Sequence, residues 1–179
     1  MTHKHRFLFL ALLLAIALQS SCGYTLAGRG SFLPAYIKVI GIPLFVNNSS
    51  VFDLDRLVTE RVRGEFIGRG KYTIRPEATG VDGLLTGTIT GVYLTPVSFN
   101  STQQATRYAL IMSASVEFKD LQANKVLWAN PSMQYREEFA LNPTNALDTT
   151  TFLGQNQNAE QRMADEFARA LVSAILEAF

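Results

Sequence analysis

The middle of the chain alternates apolar and polar side chains with a period of two. Between Arg107 and Asp120, the residues Tyr108, Leu110, Met112, Ala114, Val116 and Phe118 fall on one face. Arg107, Ser113, Ser115, Glu117 and Lys119 fall on the other. This is the signature of a strand buried on one side. Gly83 to Thr95 repeats it, with Leu85, Ile89 and Tyr93 opposed to Thr86, Thr88 and Thr90. The polar stretch from Val97 to Thr106 predicts a hairpin loop. Asp120 to Lys125 predicts a tight turn, with Asn124 suited to positive φ. Val126 to Phe139 then completes a meander, and Pro131 marks a bulge or an edge strand. Each strand runs for about 13 residues, against a usual five or six. One-sided alternation means that one face is covered while the other meets water or a partner.

The flanks switch period. Ile37 to Phe45 is apolar at nearly every position and predicts a first strand, with Pro43 limiting its pairing near the end. Asn47 to Ser50 forms a polar turn, and Ser50 with Asp53 resembles a capping box. Leu54, Leu57, Val58, Val62 and Phe66 then predict a helix from Phe52 to Ile67, closed by Gly68 and Gly70 in left-handed C-cap positions. Tyr72 to Arg75 is a short strand stopped by Pro76. Leu141 to Asn156 is a polar linker. Beyond it, Met163, Phe167, Ala170, Leu171, Ala174, Ile175 and Ala178 line one face of a C-terminal helix, with Asn158 and Gln161 placed to cap its start. The expected fold is α+β: a two-layer sandwich with two helices packed on one face of a mostly antiparallel four- to five-stranded sheet.

The N-terminus does not belong to that body. Lys4 and Arg6 precede an unbroken apolar run from Phe7 to Leu18, and Ser20 and Ser21 precede Cys22, the only cysteine. This is the layout of a secretory signal peptide. The run of about 12 residues falls short of the roughly 20 needed to span a bilayer. The organisation expected is a removed signal peptide at 1–21, a lipidated tether at 22–36 and one domain at 37–179. Small-small-Cys after an apolar run resembles a lipobox, in which the cysteine becomes a lipid-bearing N-terminus. Gln19 stands where that pattern places Leu. The alternative is ordinary cleavage, which leaves a single thiol with no internal partner to oxidise with.

Losing the leader changes the chemistry available. The 16 basic residues become 14 against 15 acidic, so the formal charge passes from +1 to −1. That balance argues against nucleic acid, which calls for a clustered basic face. Both histidines, His3 and His5, leave with the leader. With no histidine left and, where Cys22 is acylated, no free thiol, Ser-His-Asp and Cys-His mechanisms are excluded, as are metal sites built on His or Cys. The expectation is no enzyme, no metal, and no cofactor beyond a covalent lipid on Cys22. Two Gly-Arg-Gly motifs, at Gly28–Gly30 and Gly68–Gly70, do not sit between a strand and the start of a helix, so they read as turns rather than phosphate loops. Asp53 with Asp55, and Glu137 with Glu138, cannot share a face as catalytic pairs.

Two weaker sets remain. Arg107, Lys119, Lys125 and Arg136 lie near strand ends around the meander. They are candidates for lipopolysaccharide or anion contact, weighed against charges that merely guard a sheet. Trp128 and Tyr135 on the last strand are candidates for partner contact, weighed against ordinary packing.

The segment Cys22-Gly23-Tyr24-Thr25-Leu26-Ala27-Gly28 resembles the start of the lipopolysaccharide-assembly lipoproteins, the LptE family. Leu33-Pro34, the apolar run Ile37 to Phe45, Asn47-Asn48, Arg69-Gly70-Lys71-Tyr72, Asp82 to Ile89, and Asp120 to Trp128 continue its order. The resemblance implies a protein anchored to the inner leaflet of the outer membrane. It also implies a plug inside the β-barrel LptD that helps the barrel assemble and assists lipopolysaccharide to the cell surface. The implied partners are thus LptD, lipopolysaccharide and, through the anchor, the membrane. The alternative is another periplasmic assembly lipoprotein serving a different export channel.

Overall fold

The structure, a computed structural model, describes residues 33–69, 71–140 and 157–178, without the side chains of 139, 140, 157 and 158. The expected signal peptide, most of the tether, Cys22, Gly70 and the linker at 141–156 lie outside the described residues. The elements are β1 (Val39–Gly41), β2 (Val46–Asn47), α1 (Leu54–Gly68), β3 (Thr73–Arg75), β4 (Gly83–Phe99), β5 (Ala105–Asp120), β6 (Lys125–Ala140) and α2 (Gln157–Leu176). The strands form one six-stranded sheet in the order β3-β1-β4-β5-β6, with β2 also paired to β4. The long meander is antiparallel, whereas β1 pairs parallel with β3 and β4, and β2 parallel with β4. The expected two-layer α+β sandwich is present, with a mixed sheet of six strands rather than four or five.

The additional strand arises because the apolar run after Ile37 does not stay in the sheet. Between β1 and β2, backbone groups turn to α1 instead. The Arg63 guanidinium donates to the Ile42 carbonyl through Nε (2.9 Å) and Nη2 (2.6 Å). The Phe45 N–H donates to Thr59 Oγ1 (3.0 Å), and that hydroxyl donates to the Asp55 carbonyl (2.6 Å). Phe45 and Thr59 are both buried. Helix and sheet are thus joined by polar side chains within an apolar layer, where an unpaired N–H is costly.

The start of α1 departs from the expected capping box. Asp53 adopts a left-handed conformation (φ 61°) and makes no side-chain cap hydrogen bond; it pairs with Arg56 instead. At the other end the cap is Arg69, which is right-handed (φ −74°), and Gly68 lies within the helix without a positive φ, so it is not a left-handed cap. In α2 the buried face comprises Ala159, Met163, Ala164, Phe167, Ala168, Leu171, Val172 and Ile175. Ala170 and Ala178 are exposed. The stripe is wider and rotated because α2 packs on both α1 and the sheet. Arg61 pairs with Asp165 (3.2 Å) and Arg69 with Ser173 (2.9 Å), so the two helices run side by side in the same direction.

In the meander, Leu110, Met112, Ala114, Val116 and Phe118 are all buried under the helices, as the alternation requires. Asn124 has φ 50° in the β5–β6 turn. β6 carries a bulge at Pro131, where Val116 pairs with Asn130 but Ala114 with Met133. β4 carries one that the alternation did not reveal. Ile89 pairs with Ala114 and Gly91 with Ser113, leaving Thr90 as the extra residue. The insertion flips every later side chain to the other face. Val92, not Tyr93, therefore faces the core, and Tyr93 is 56% exposed on the opposite side. Among the described residues, no helix is long and apolar enough to cross a membrane.

Candidate partner-binding face

Helices cover one face of the sheet, and the meander presents the other. Pairing fixes its rows: Leu84–Lys119–Val126, Thr86–Glu117–Ala129, Gly91–Ser113–Gln134 and Tyr93–Ile111–Arg136. Hydroxyls, short side chains and single charges dominate, with Tyr93 lying back across Gly91. Beyond β4 this face closes, because the loop after β3 brings the Glu77 carbonyl and the Val81 side chain against Gly41.

The four expected basic residues do not come together. Arg107 and Arg136 both reach Glu138, at 3.0 and 3.2 Å, and form one exposed cluster near the β4–β5 hairpin. Lys119 stands at the other end of β5, twelve residues and about 40 Å of strand away. Lys125 lies opposite Asp120, beside the β5–β6 turn. A sheet of such long strands has two distant ends, so residues near strand ends need not be neighbours. Glu137 and Glu138 fall on opposite faces, as adjacent strand residues must.

Trp128 and Tyr135 sit on the helix side, opposite Phe118 and Met112. Both are half-buried and pack against the core. The Tyr135 hydroxyl donates to Glu137, which also pairs with Arg162 (3.5 Å). Burial and that carboxylate push the Tyr135 pKa above the usual tyrosine value. In this chain their visible role is packing.

A polar knot at the foot of the sheet had no sequence signal. Asp82 Oδ2 accepts the Lys38 and Val39 amides, each at 2.9 Å, and Oδ1 accepts Gln122 Nε2 at 2.7 Å. The buried Asp120 accepts the amides of Gln122 (2.8 Å) and Ala123 (2.9 Å) and the Tyr36 hydroxyl. Two carboxylates thereby tie β1 to the β5–β6 turn. Amide donors hold the Asp82 carboxyl below the usual range, and the Tyr36 hydroxyl, followed by amides, does so for Asp120. The residues that could serve it come from segments more than 30 positions apart, so only the fold assembles the knot. Among the described residues no group of His, Cys, Asp and Glu could hold a metal ion.

Among the described residues the body is two-layered, with helices on one face of the sheet and, on the other, a largely polar face of the long meander. Comparison with known proteins places it. The family described as LptE, lipopolysaccharide-assembly, matches residues 37–175, and the chain belongs to that family. It is thus a protein of lipopolysaccharide assembly. No curated protein matches in sequence. Among solved structures, the hypothetical protein CT253 from Chlamydia trachomatis is 12% identical with a TM-score of 0.53, covering 79% of this chain and 96% of that one. That likeness shows the shared fold. The rare lipoprotein B from Shewanella oneidensis is 19% identical (TM-score 0.48; 76% and 96% covered). Lipoprotein GNA1162 from Neisseria meningitidis is 15% identical (TM-score 0.42; 68% and 94% covered).

Proposed function

We propose that this chain is a non-enzymatic lipoprotein, anchored through a lipid on Cys22 to the inner leaflet of the outer membrane. Its body plugs the β-barrel LptD, helps that barrel assemble and assists lipopolysaccharide to the surface. The observation that carries the reading is the face of the meander that no described element covers. A barrel lumen is polar, and this face offers hydroxyls and scattered charges on three long strands whose other side is fixed by the core. Arg107 and Arg136, sharing Glu138, supply cationic groups for the phosphates of lipopolysaccharide on that face. Lipid at Cys22 keeps the plug at high effective concentration beside the barrel.

The test combines the mature N-terminus with a pull-down. Mass spectrometry of the protein from its own membrane should find acyl chains on residue 22. Mild-detergent purification should recover a large β-barrel, and Ser115→Trp, placed in the middle of the outer face, should abolish that recovery while leaving the urea midpoint unchanged. Recovery of the barrel undiminished by Ser115→Trp would show that another surface makes the contact. Purification with no barrel at all would end the plug reading.

A further inference from the structure

We propose that the free edges of the sheet are closed to strand addition, by Pro96 on β4 and by Pro131 with Asn130 on β6, so that copies of this chain do not pair edge to edge. A sheet edge offers a row of unpaired N–H and C=O groups, a template for a strand of another molecule. Among the described residues two long edges are open. β6 is last in the sheet along all 16 of its residues. β4 has no strand beside it beyond Ile89, where its pairing with β2 ends. The other edge strands, β3 and β2, have only three and two residues.

Backbone direction shows what each long edge offers. The Asn48 N–H donates to the Ile89 carbonyl at 2.9 Å, so Ile89 turns its polar groups away from β5. Direction alternates along an antiparallel pair. Gly91, Tyr93 and Thr95 therefore face β5, and Val92, Leu94 and Pro96 face the free edge. Pro96 has no N–H to offer there. Past it the register breaks twice more before the hairpin, between Pro96 and Ser98 and between Ser98 and Phe99. On β6 the interruption falls at mid-strand. Pro131 and Ser132 lie between the Val116–Asn130 and Ala114–Met133 pairs, so both stand opposite Ser115. Pro131 lacks the donor, and the Ser132 N–H is already given to Asn130 Oδ1 at 3.0 Å. Two consecutive N–H groups are thus withdrawn from this edge. Beyond them Gln134, Arg136 and Glu138 turn their backbone outward, and an exposed ion pair joins the last two at 3.2 Å.

Each long edge therefore carries a proline inside it, and each proline coincides with a break in register. Proline, bulges and charge are the means by which an edge refuses a further strand. The refusal matters most for an anchored chain. Copies tethered in one leaflet, as proposed above, meet at a raised effective concentration, where an open edge of this length would pair. With the edges closed, contact is left to the faces of the sheet. The edge guard itself stands on the sheet alone and does not need the anchor.

Sedimentation equilibrium of the mature protein in density-matched detergent tests the guard. The parent should remain a monomer. Pro131→Val combined with Asn130→Ala restores both N–H groups on β6, and Pro96→Val restores the one on β4. Each variant should show a roughly twofold rise in weight-average mass, as a symmetric pair of edges requires. Hydrogen exchange should then find the Gln134, Arg136 and Glu138 amides newly protected in the first variant, and those of Val92 and Leu94 in the second. A variant that does not fold is replaced by Pro131→Ala or Pro96→Ala and read by the same criteria. Folded variants that stay monomeric, association without protection of these amides, or a parent that already associates through them overturns the proposal. Absence of lipid on Cys22 would end the anchor reading and leave these measurements unaffected.

Discussion

Replacing Thr59 tests whether the junction between α1 and the sheet is polar by necessity. Its hydroxyl accepts the Phe45 N–H at 3.0 Å and donates to the Asp55 carbonyl at 2.6 Å, with Thr59 fully buried. Thr59→Val keeps the shape but removes the acceptor, leaving a buried N–H unpaired, at a cost of about 1–3 kcal/mol. Thr59→Ser keeps the hydroxyl and loses one methyl group, worth roughly 0.8 kcal/mol. The polar substitution should therefore be the milder one, reversing the order a purely apolar core would give. For a domain of this size, about 2 kcal/mol corresponds to roughly 4–8 °C in Tm. Urea unfolding followed by circular dichroism, with m compared between variants, gives the difference directly. If Thr59→Val proves as stable as Thr59→Ser, the hydrogen bond does not hold β2 to the helix, and the account of why the first strand breaks is wrong.

Gly87→Ala should destabilise by about 1–3 kcal/mol, the usual cost of overpacking. A Cβ there would sit 2.5 Å from Phe45 Cδ2 and 2.7 Å from Cζ, and Phe45→Leu in the same chain should recover part of the loss in a urea titration. The Asp82 and Asp120 carboxyls have folded pKa values below their unfolded ones. Their contribution is therefore fully present above the unfolded value near 3.9 and is lost as pH falls through the folded values. The urea midpoint should be level from about pH 5 to 8 and fall below about pH 4, and Asp82→Asn with Asp120→Asn should remove much of that acid dependence; a double variant with the parent's full acid slope would refute it.

Legibility in the sequence followed the range of the interactions. β5 was readable because each residue answers only to its two faces. β4 was readable as far as Ile89, and then failed because the bulge at Thr90 is settled by pairing with β5. The glycine at 91 was its one local trace. The unbroken first strand failed for a similar reason: Arg63 and Thr59, carried on a helix further along the chain, take the backbone groups that a longer strand would have spent on β4. The expected basic cluster treated both ends of the meander as one place, whereas Arg107 and Lys119 are the two ends of a single strand. Trp128 and Tyr135 lie on one strand as expected, but their side of the sheet depends on irregularities that pairing settles: the extra residue at Leu127 puts Trp128 opposite Phe118, and the bulge at Pro131 puts Tyr135 opposite Met112.

The glycines of β4 have a consequence for how the sheet finds its alignment. Phe118 lies over Gly83, where a Cβ would stand 2.8 Å from its Cζ, and Phe45 lies over Gly87. The rings come from different elements, and the two gaps are four residues apart on one face of a strand that borders β1, β2 and β5. A slip of β4 by one residue would bring the wrong face inward, and a slip by two would put Leu85 beneath a ring. An uncharged strand rich in Thr and Gly is weakly specified by pattern alone. Here missing side chains do the specifying: two notches, each admitting one aromatic ring, make a single offset of three neighbouring strands compatible with a filled core.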